Sequence, residues 1–150
     1  MGHTYTHLLT HIVFSTKSRI PYLKVGTRAP MFAYMAGIAR GIGAIDVLVN
    51  GIEDHAHLFG RFPPKVALAE IVQKVKANSS KWAHDERLLP RSFGWQTGYA
   101  AFSVSRSKAA EVIQYIEDQE AHHKKMTFQG ELIALFRKHG IEYDEQYIWQ

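Results

Sequence analysis

The chain has 150 residues and a formal net charge of +4, which suits one compact domain and favours anionic partners, nucleic acid foremost. It has no cysteine, which excludes disulfide frameworks, thiolate metal sites and cysteine nucleophiles, and its 46% hydrophobic content is enough for a core without such staples. No apolar run nears the roughly 18 residues of a membrane span, and the first residues lack the basic and apolar regions of a secretory signal, so a single cytoplasmic domain, 1–150, is expected.

Residues 4–14, TYTHLLTHIVF, are rich in β-branched and aromatic types and predict a strand. Lys17 to Leu23, with its charges and Pro21, reads as a loop. Residues 28–42 place Met31, Phe32, Met35, Ile38 and Ile42 three and four apart, the spacing of an amphipathic helix that Gly41 and Gly43 end. Strands are predicted over 44–51 and 55–62, joined by a tight turn at Glu53-Asp54, and Pro63-Pro64 stops the second. A helix over 66–82 turns Val66, Ala69, Ile71, Val72 and Val75 to the core and Lys74, Lys76 and Lys81 elsewhere. After a loop over 84–96, TGYAAFSV at 97–104 predicts a fourth strand. Ser105 or Ser107 caps a third helix, 107–124, and a shorter helix covers 129–138. No repeat or linker divides the chain. The order strand, helix, strand, strand, helix, strand, helix is the split βαβ pattern. It predicts an α+β fold: a ferredoxin-like or RRM-like antiparallel sheet with helices on one face and the other face open for chemistry or a ligand.

Nine histidines are many for this length and direct attention to metal ligands. His55 and His57 flank Ala56 on the third strand. Strand side chains alternate, so both imidazoles share one face while Ala56, Leu58 and Phe62 share the other. Two histidines without a ligand satisfy the same pattern. On the third helix, Val112, Ile113 and Ile116 form the apolar stripe. At ~100° per residue, Tyr115, Gln119 and His122 fall along one flank beside it. The Gln119 amide oxygen can serve as a third ligand, with Tyr115 next to whatever the metal holds. A tyrosine that packs its ring, and a solvated glutamine, are the plainer alternatives. His3, His7 and His11 share strand parity but no carboxylate accompanies them. His122-His123 can contact DNA or tune the site. Lys17, Arg19, Lys74, Lys76 and Arg106, with Lys81 and Lys108, are candidate phosphate contacts, or a solvated surface. Trp82 and Trp95 can stack on bases or pack in the core.

The segment Glu53-Asp54-His55-Ala56-His57-Leu58 resembles the HUH motif of the single-tyrosine transposases of the smallest bacterial insertion sequences. Ala56 is small where that motif carries a bulky apolar residue. The run Tyr115-Ile116-Glu117-Asp118-Gln119-Glu120-Ala121-His122-His123 is similar to their nucleophile helix, a tyrosine followed four residues later by a metal-binding glutamine. The stretches from His11 to Lys17 and from Gly98 to Ser105 are also similar, and the related repeat-associated tyrosine transposases share the same core. The resemblance implies that His55, His57 and Gln119 bind Mg²⁺ or Mn²⁺ and that Tyr115 attacks a scissile phosphate. The product is a 5′-phosphotyrosine link and a free 3′-hydroxyl. A second 3′-hydroxyl can then displace the tyrosine without ATP. The implied partners are single-stranded DNA with hairpin ends and a second copy of the chain, with Tyr115 serving the partner's metal site in such a dimer. Two alternatives stand beside this. A non-catalytic RRM-like module for single-stranded nucleic acid needs exposed aromatics on the central strands. A replication-initiator or relaxase-type nuclease is disfavoured by the short chain.

Overall fold

The computed structural model describes residues 2–149. Its four strands are β1 (Leu9–Ser15), β2 (Ile45–Ile52), β3 (His55–Arg61) and β4 (Ala100–Ser103), all antiparallel in the order β2-β3-β1-β4. That is the ferredoxin-like arrangement expected from the sequence, with β1 and β3 central. The strand expected from residue 4 starts at Leu9 because its partners run out there. Leu9 lies opposite Arg61 at the end of β3, and Thr10 lies opposite Ser103 at the end of β4. His3 and His7 therefore fall outside the strand and are exposed, whereas His11 is inside and buried.

Alternation gives each central strand two buried faces. Ile12 and Phe14 of β1 and Ala56 and Leu58 of β3 face the larger core. That core is closed by α1 (Val25–Ile42) through Met31, Phe32 and Met35, and by α2 (Leu68–Asp85) through Ile71, Val72 and Val75. Gly43 ends α1 at φ 114°, a left-handed cap that favours glycine. Leu68, rather than the exposed Ala69, packs from the start of α2. The two loop-side tryptophans take packing roles. Trp82 stacks on Tyr34 at 4.3 Å, and Trp95 meets Phe14 edge-on and donates its Nε1–H to Ser79 Oγ at 3.0 Å.

The second sheet face, expected to stay open, is roofed. The helix expected over 107–124 is a 3₁₀ turn at Arg106–Lys108, then α3 (Ala109–Glu117), a break at Asp118, and α4 (Gln119–His122). Neither Ser105 nor Ser107 caps it; their hydroxyls bond each other at 3.1 Å. The break is held by side chains. Asn50 of β2 donates to the carbonyls of Ile116 (2.8 Å) and Glu117 (3.3 Å), groups that a helix end leaves unpaired. Ile116 then packs on Leu9 and Phe59. α5 (Phe128–His139), started by Thr127 accepting from the Gly130 N–H, lays Phe128, Leu132 and Phe136 on Val13 and Phe102. Among the described residues no helix is long and apolar enough to cross a membrane.

The β2–β3 hairpin tolerates only glycine at position 51. A Cβ there would run into the His55 carbonyl oxygen and stand 3.0 Å from Ala56 Cα. Gly51→Ala is expected to destabilise the fold by about 3 kcal/mol, a backbone collision that no rotamer relieves. A thermal melt should show a drop of about 10 °C; an unchanged melting temperature would contradict this close approach.

Candidate functional site

The roof over β1 and β3 encloses polar groups as well as apolar ones. His55 and His57 are fully buried and point to the same side, as their parity requires. Gln119 at the start of α4, His123 just beyond it and Glu131 in the first turn of α5 join them. The Asp118 break brings Gln119 and His123 over the end of the sheet, with Phe128 stacked on His55 at 4.5 Å.

Five donor atoms converge there. Glu131 Oε1 lies 3.1 Å from His55 Nε2, 3.0 Å from His57 Nε2 and 3.2 Å from His123 Nε2. Gln119 Oε1 lies 3.1 Å from His55 Nε2 and 3.0 Å from His123 Nε2. Two ligand atoms at right angles around an ion with bonds of about 2.1 Å lie about 3.0 Å apart. These separations therefore fit the edges of one coordination sphere.

The outer nitrogens point to the same use. His55 Nδ1 donates to Asp54 Oδ1 at 2.8 Å, and His123 Nδ1 donates to the Met126 carbonyl at 2.6 Å. A neutral imidazole that donates from Nδ1 presents a lone pair at Nε2, the tautomer a metal takes. His57 Nδ1 lies 2.7 Å from His11 Nε2, an imidazole pair in which either ring can donate. The donor set of three imidazoles, one carboxylate and one amide oxygen thus fits a divalent ion.

Tyr115 belongs to the same cluster. Its hydroxyl donates to Glu131 Oε2 in a short hydrogen bond and lies 3.4 Å from His122 Nε2. Gln119 Nε2 donates to the same carboxylate oxygen at 3.1 Å, which fixes the amide with its oxygen toward the histidines. Burial works against ionised Glu131, but bonds from His123, His55 and His57 prevail and hold it well below the usual carboxylate range. Burial also opposes charge on His55, yet its bonds to Asp54 and Glu131 raise it to about 9. Burial outweighs Glu131 at His57 and lowers it; burial and His57 together lower His11 as well. Burial and the charge of Glu131 raise Tyr115, so its phenol keeps its proton in the metal-free chain.

A cleft of about 720 Å³ lies between α3 and α5, lined by Tyr115 together with Lys108, Glu111, His122, Lys138 and His139. The expected phosphate contacts distribute differently. Lys17 and Arg106 are exposed, and Lys74 pairs with Glu70 at 3.0 Å on the surface of α2. Arg19 donates to the Trp149 carbonyl at 3.1 Å and lies over its ring. Lys76 is committed inward. Its ammonium donates to the Gln96 and Gly98 carbonyls above the Phe14 ring, and burial lowers it to about 8. It ties α2 to the loop before β4 and is not available as a surface contact. An RRM-like binding face needs exposed aromatics on the central strands; here that face carries the buried His55 and His57, and Phe59 of β3 is buried under the roof as well.

The sequence reading brought His55, His57, Tyr115 and Gln119 together and missed Glu131, as well as the role of His11 in backing His57. A signal for Glu131 existed. It falls on the stripe Phe128, Leu132, Phe136, and a carboxylate on the buried face of an amphipathic helix calls for partners.

The family profile described as "Transposase IS200 like" matches residues 4–119. A solved structure of a candidate transposase from Deinococcus radiodurans R1 is 22% identical, with a TM-score of 0.61, over 79% of this chain and 96% of its own. A REP-associated tyrosine transposase, solved bound to a REP hairpin, is 11% identical with a TM-score of 0.58, over 82% of this chain and 74% of its own. At such identities the two structures speak for the fold. No curated protein matches the chain.

Proposed function

Because the chain belongs to the IS200-like transposase family, we propose that it cuts and rejoins single-stranded DNA through a tyrosine attached covalently to the 5′ side of the break. One observation carries this reading. The Tyr115 hydroxyl and the HUH histidines meet at a single buried carboxylate, Glu131, so nucleophile and metal donors form one constellation within one chain. His55, His57 and Gln119 would hold a divalent ion, Mg²⁺ or Mn²⁺. Such an ion supplies positive charge for a non-bridging phosphate oxygen and for the charge developing in the transition state.

The chain's own residues do the rest. The Tyr115 oxygen attacks phosphorus, the bond to the 3′ oxygen breaks, and that oxygen takes a proton to leave as a 3′-hydroxyl. Glu131 Oε2 accepts the phenolic hydrogen bond and so aims the oxygen; held well below the usual carboxylate range, it orients the phenol rather than keeping its proton, which passes to water as the attack proceeds. The cleft lined by Tyr115 gives a single strand its path, with Lys138 at hand for its phosphates and Lys108, 3.5 Å from Glu111, able to exchange that exposed partner for a phosphate. Lys17, Arg106 and Lys74 serve as outer contacts in this reading. In this reading the protein acts in the cytoplasm on DNA with hairpin ends, as a homodimer in which Tyr115 serves the donor cluster of its own chain or that of its partner.

The test is a covalent-adduct assay. Labelled single-stranded DNA carrying the hairpins that flank this gene is incubated with the protein and Mg²⁺ or Mn²⁺, then resolved on a denaturing gel. A metal-dependent shifted band supports the reading. Tight binding that is independent of metal and leaves no adduct would return the chain to the binding-module alternative.

A further inference from the structure

The family likeness ends at residue 119, yet the donor cluster does not. His123 and Glu131 lie beyond it, and α5 exists in the fold as the element that carries Glu131 under the roof. Glu131 is 1% exposed and each of its oxygens faces a different set of groups. Oε1 faces the Nε2 atoms of His55, His57 and His123. Oε2 faces the Tyr115 hydroxyl, the Gln119 amide and His122 Nε2 at 3.3 Å. Any buried carboxylate needs partners on both oxygens; what singles this one out is that Oε1 faces three imidazole Nε2 atoms, the atoms a metal takes, while Oε2 faces the Tyr115 hydroxyl.

We propose that His123 and Glu131 are ligands of the same divalent ion as His55, His57 and Gln119, and that Glu131 binds it through one oxygen while its other oxygen holds the Tyr115 hydroxyl beside it. This rests on the metal reading of the site given above. It makes the C-terminal helix α5 part of the catalytic machinery and gives Glu131 a positioning role toward the nucleophile. It also sets the metal class. Three imidazoles with a carboxylate and an amide oxygen favour Mn²⁺ or a later first-row ion over Mg²⁺, which prefers oxygen ligands and bound water.

The experiment is metal binding by the full chain without DNA. Mn²⁺ affinity is measured by calorimetry, and Co²⁺ serves as a spectroscopic probe whose d–d bands report the ligand set. Wild type is expected to bind Mn²⁺ more tightly than Mg²⁺. Glu131→Gln and His123→Ala are each expected to weaken Mn²⁺ at least about 10-fold and to shift the Co²⁺ bands. Glu131→Asp, with a shorter reach, should fall between and shift the bands differently. If Glu131→Gln does not fold, His123→Ala decides. Wild-type affinity and spectrum in both variants, with both lost in His57→Ala, would overturn this inference and leave the HUH site standing. No Mn²⁺ or Co²⁺ binding by the wild type would overturn both.

Discussion

Tyr115→Phe is expected to abolish the covalent DNA adduct while leaving DNA binding and metal binding at the wild-type level. The substitution removes one oxygen and keeps the ring, which packs edge-on to His57 at 5.9 Å and to His122 at 5.1 Å. Glu131 Oε2 loses its phenolic donor but keeps the Gln119 amide and His122, so the carboxylate is not left bare. A loss of about 1.5–3 kcal/mol in stability is expected, the range for one hydrogen bond to a charged group. Strand cleavage, in contrast, should fall by on the order of 10³-fold or more if Tyr115 is the nucleophile, as proposed, since nothing else stands in its position. The denaturing-gel assay reads this directly, with binding checked by electrophoretic shift on the same DNA. Cleavage that persists without an adduct would mean that water is the attacking group, and the protein would then be a metal-dependent hydrolase on a transposase fold.

What the sequence made legible, and what it did not, follows from the range of each signal. Strand parity is local, so His55 and His57 could be assigned to one face from three consecutive residues. Helical spacing is almost as local, and Tyr115 with Gln119 came from it, although the real helix breaks between them at Asp118. No glycine or proline announces that break. It depends on Asn50, about 66 residues earlier in the chain, taking the carbonyls at the end of α3. The roof was hidden for the same reason: a split βαβ pattern fixes the sheet and its first helix layer, whereas what covers the second face depends on where α5 docks. His11 shows how far parity alone reaches. It shares its face of the sheet with His57 through the register Val13↔His57, but its role became clear only when β1 was paired with β3. Lys76 shows the opposite failure. On the helix it looks like one more surface lysine, and only the loop around Gly98 turns it inward.

His57→Ala separates the metal from the nucleophile. His57 is fully buried, backed by His11 and aimed at Glu131, so its removal takes one of the proposed ligands from the cluster and one hydrogen bond from each neighbour. An ion that binds the folded chain and not the unfolded one stabilises it by about 2.7 kcal/mol at a concentration 100 times its Kd. For wild type this should appear as a rise of several degrees in melting temperature on adding Mn²⁺. In His57→Ala the rise should vanish, and the adduct should vanish with it. Tyr115→Phe should keep the full rise while forming no adduct. The two variants therefore fail in the same gel for different reasons, and the melts tell those reasons apart. A His57→Ala protein that still melts higher with Mn²⁺ and still forms the adduct would remove His57 from the site. If it kept the adduct but lost the Mn²⁺ effect, the attack by Tyr115 would not depend on the ion, and Glu131 would be left as the group that holds the phenol in position.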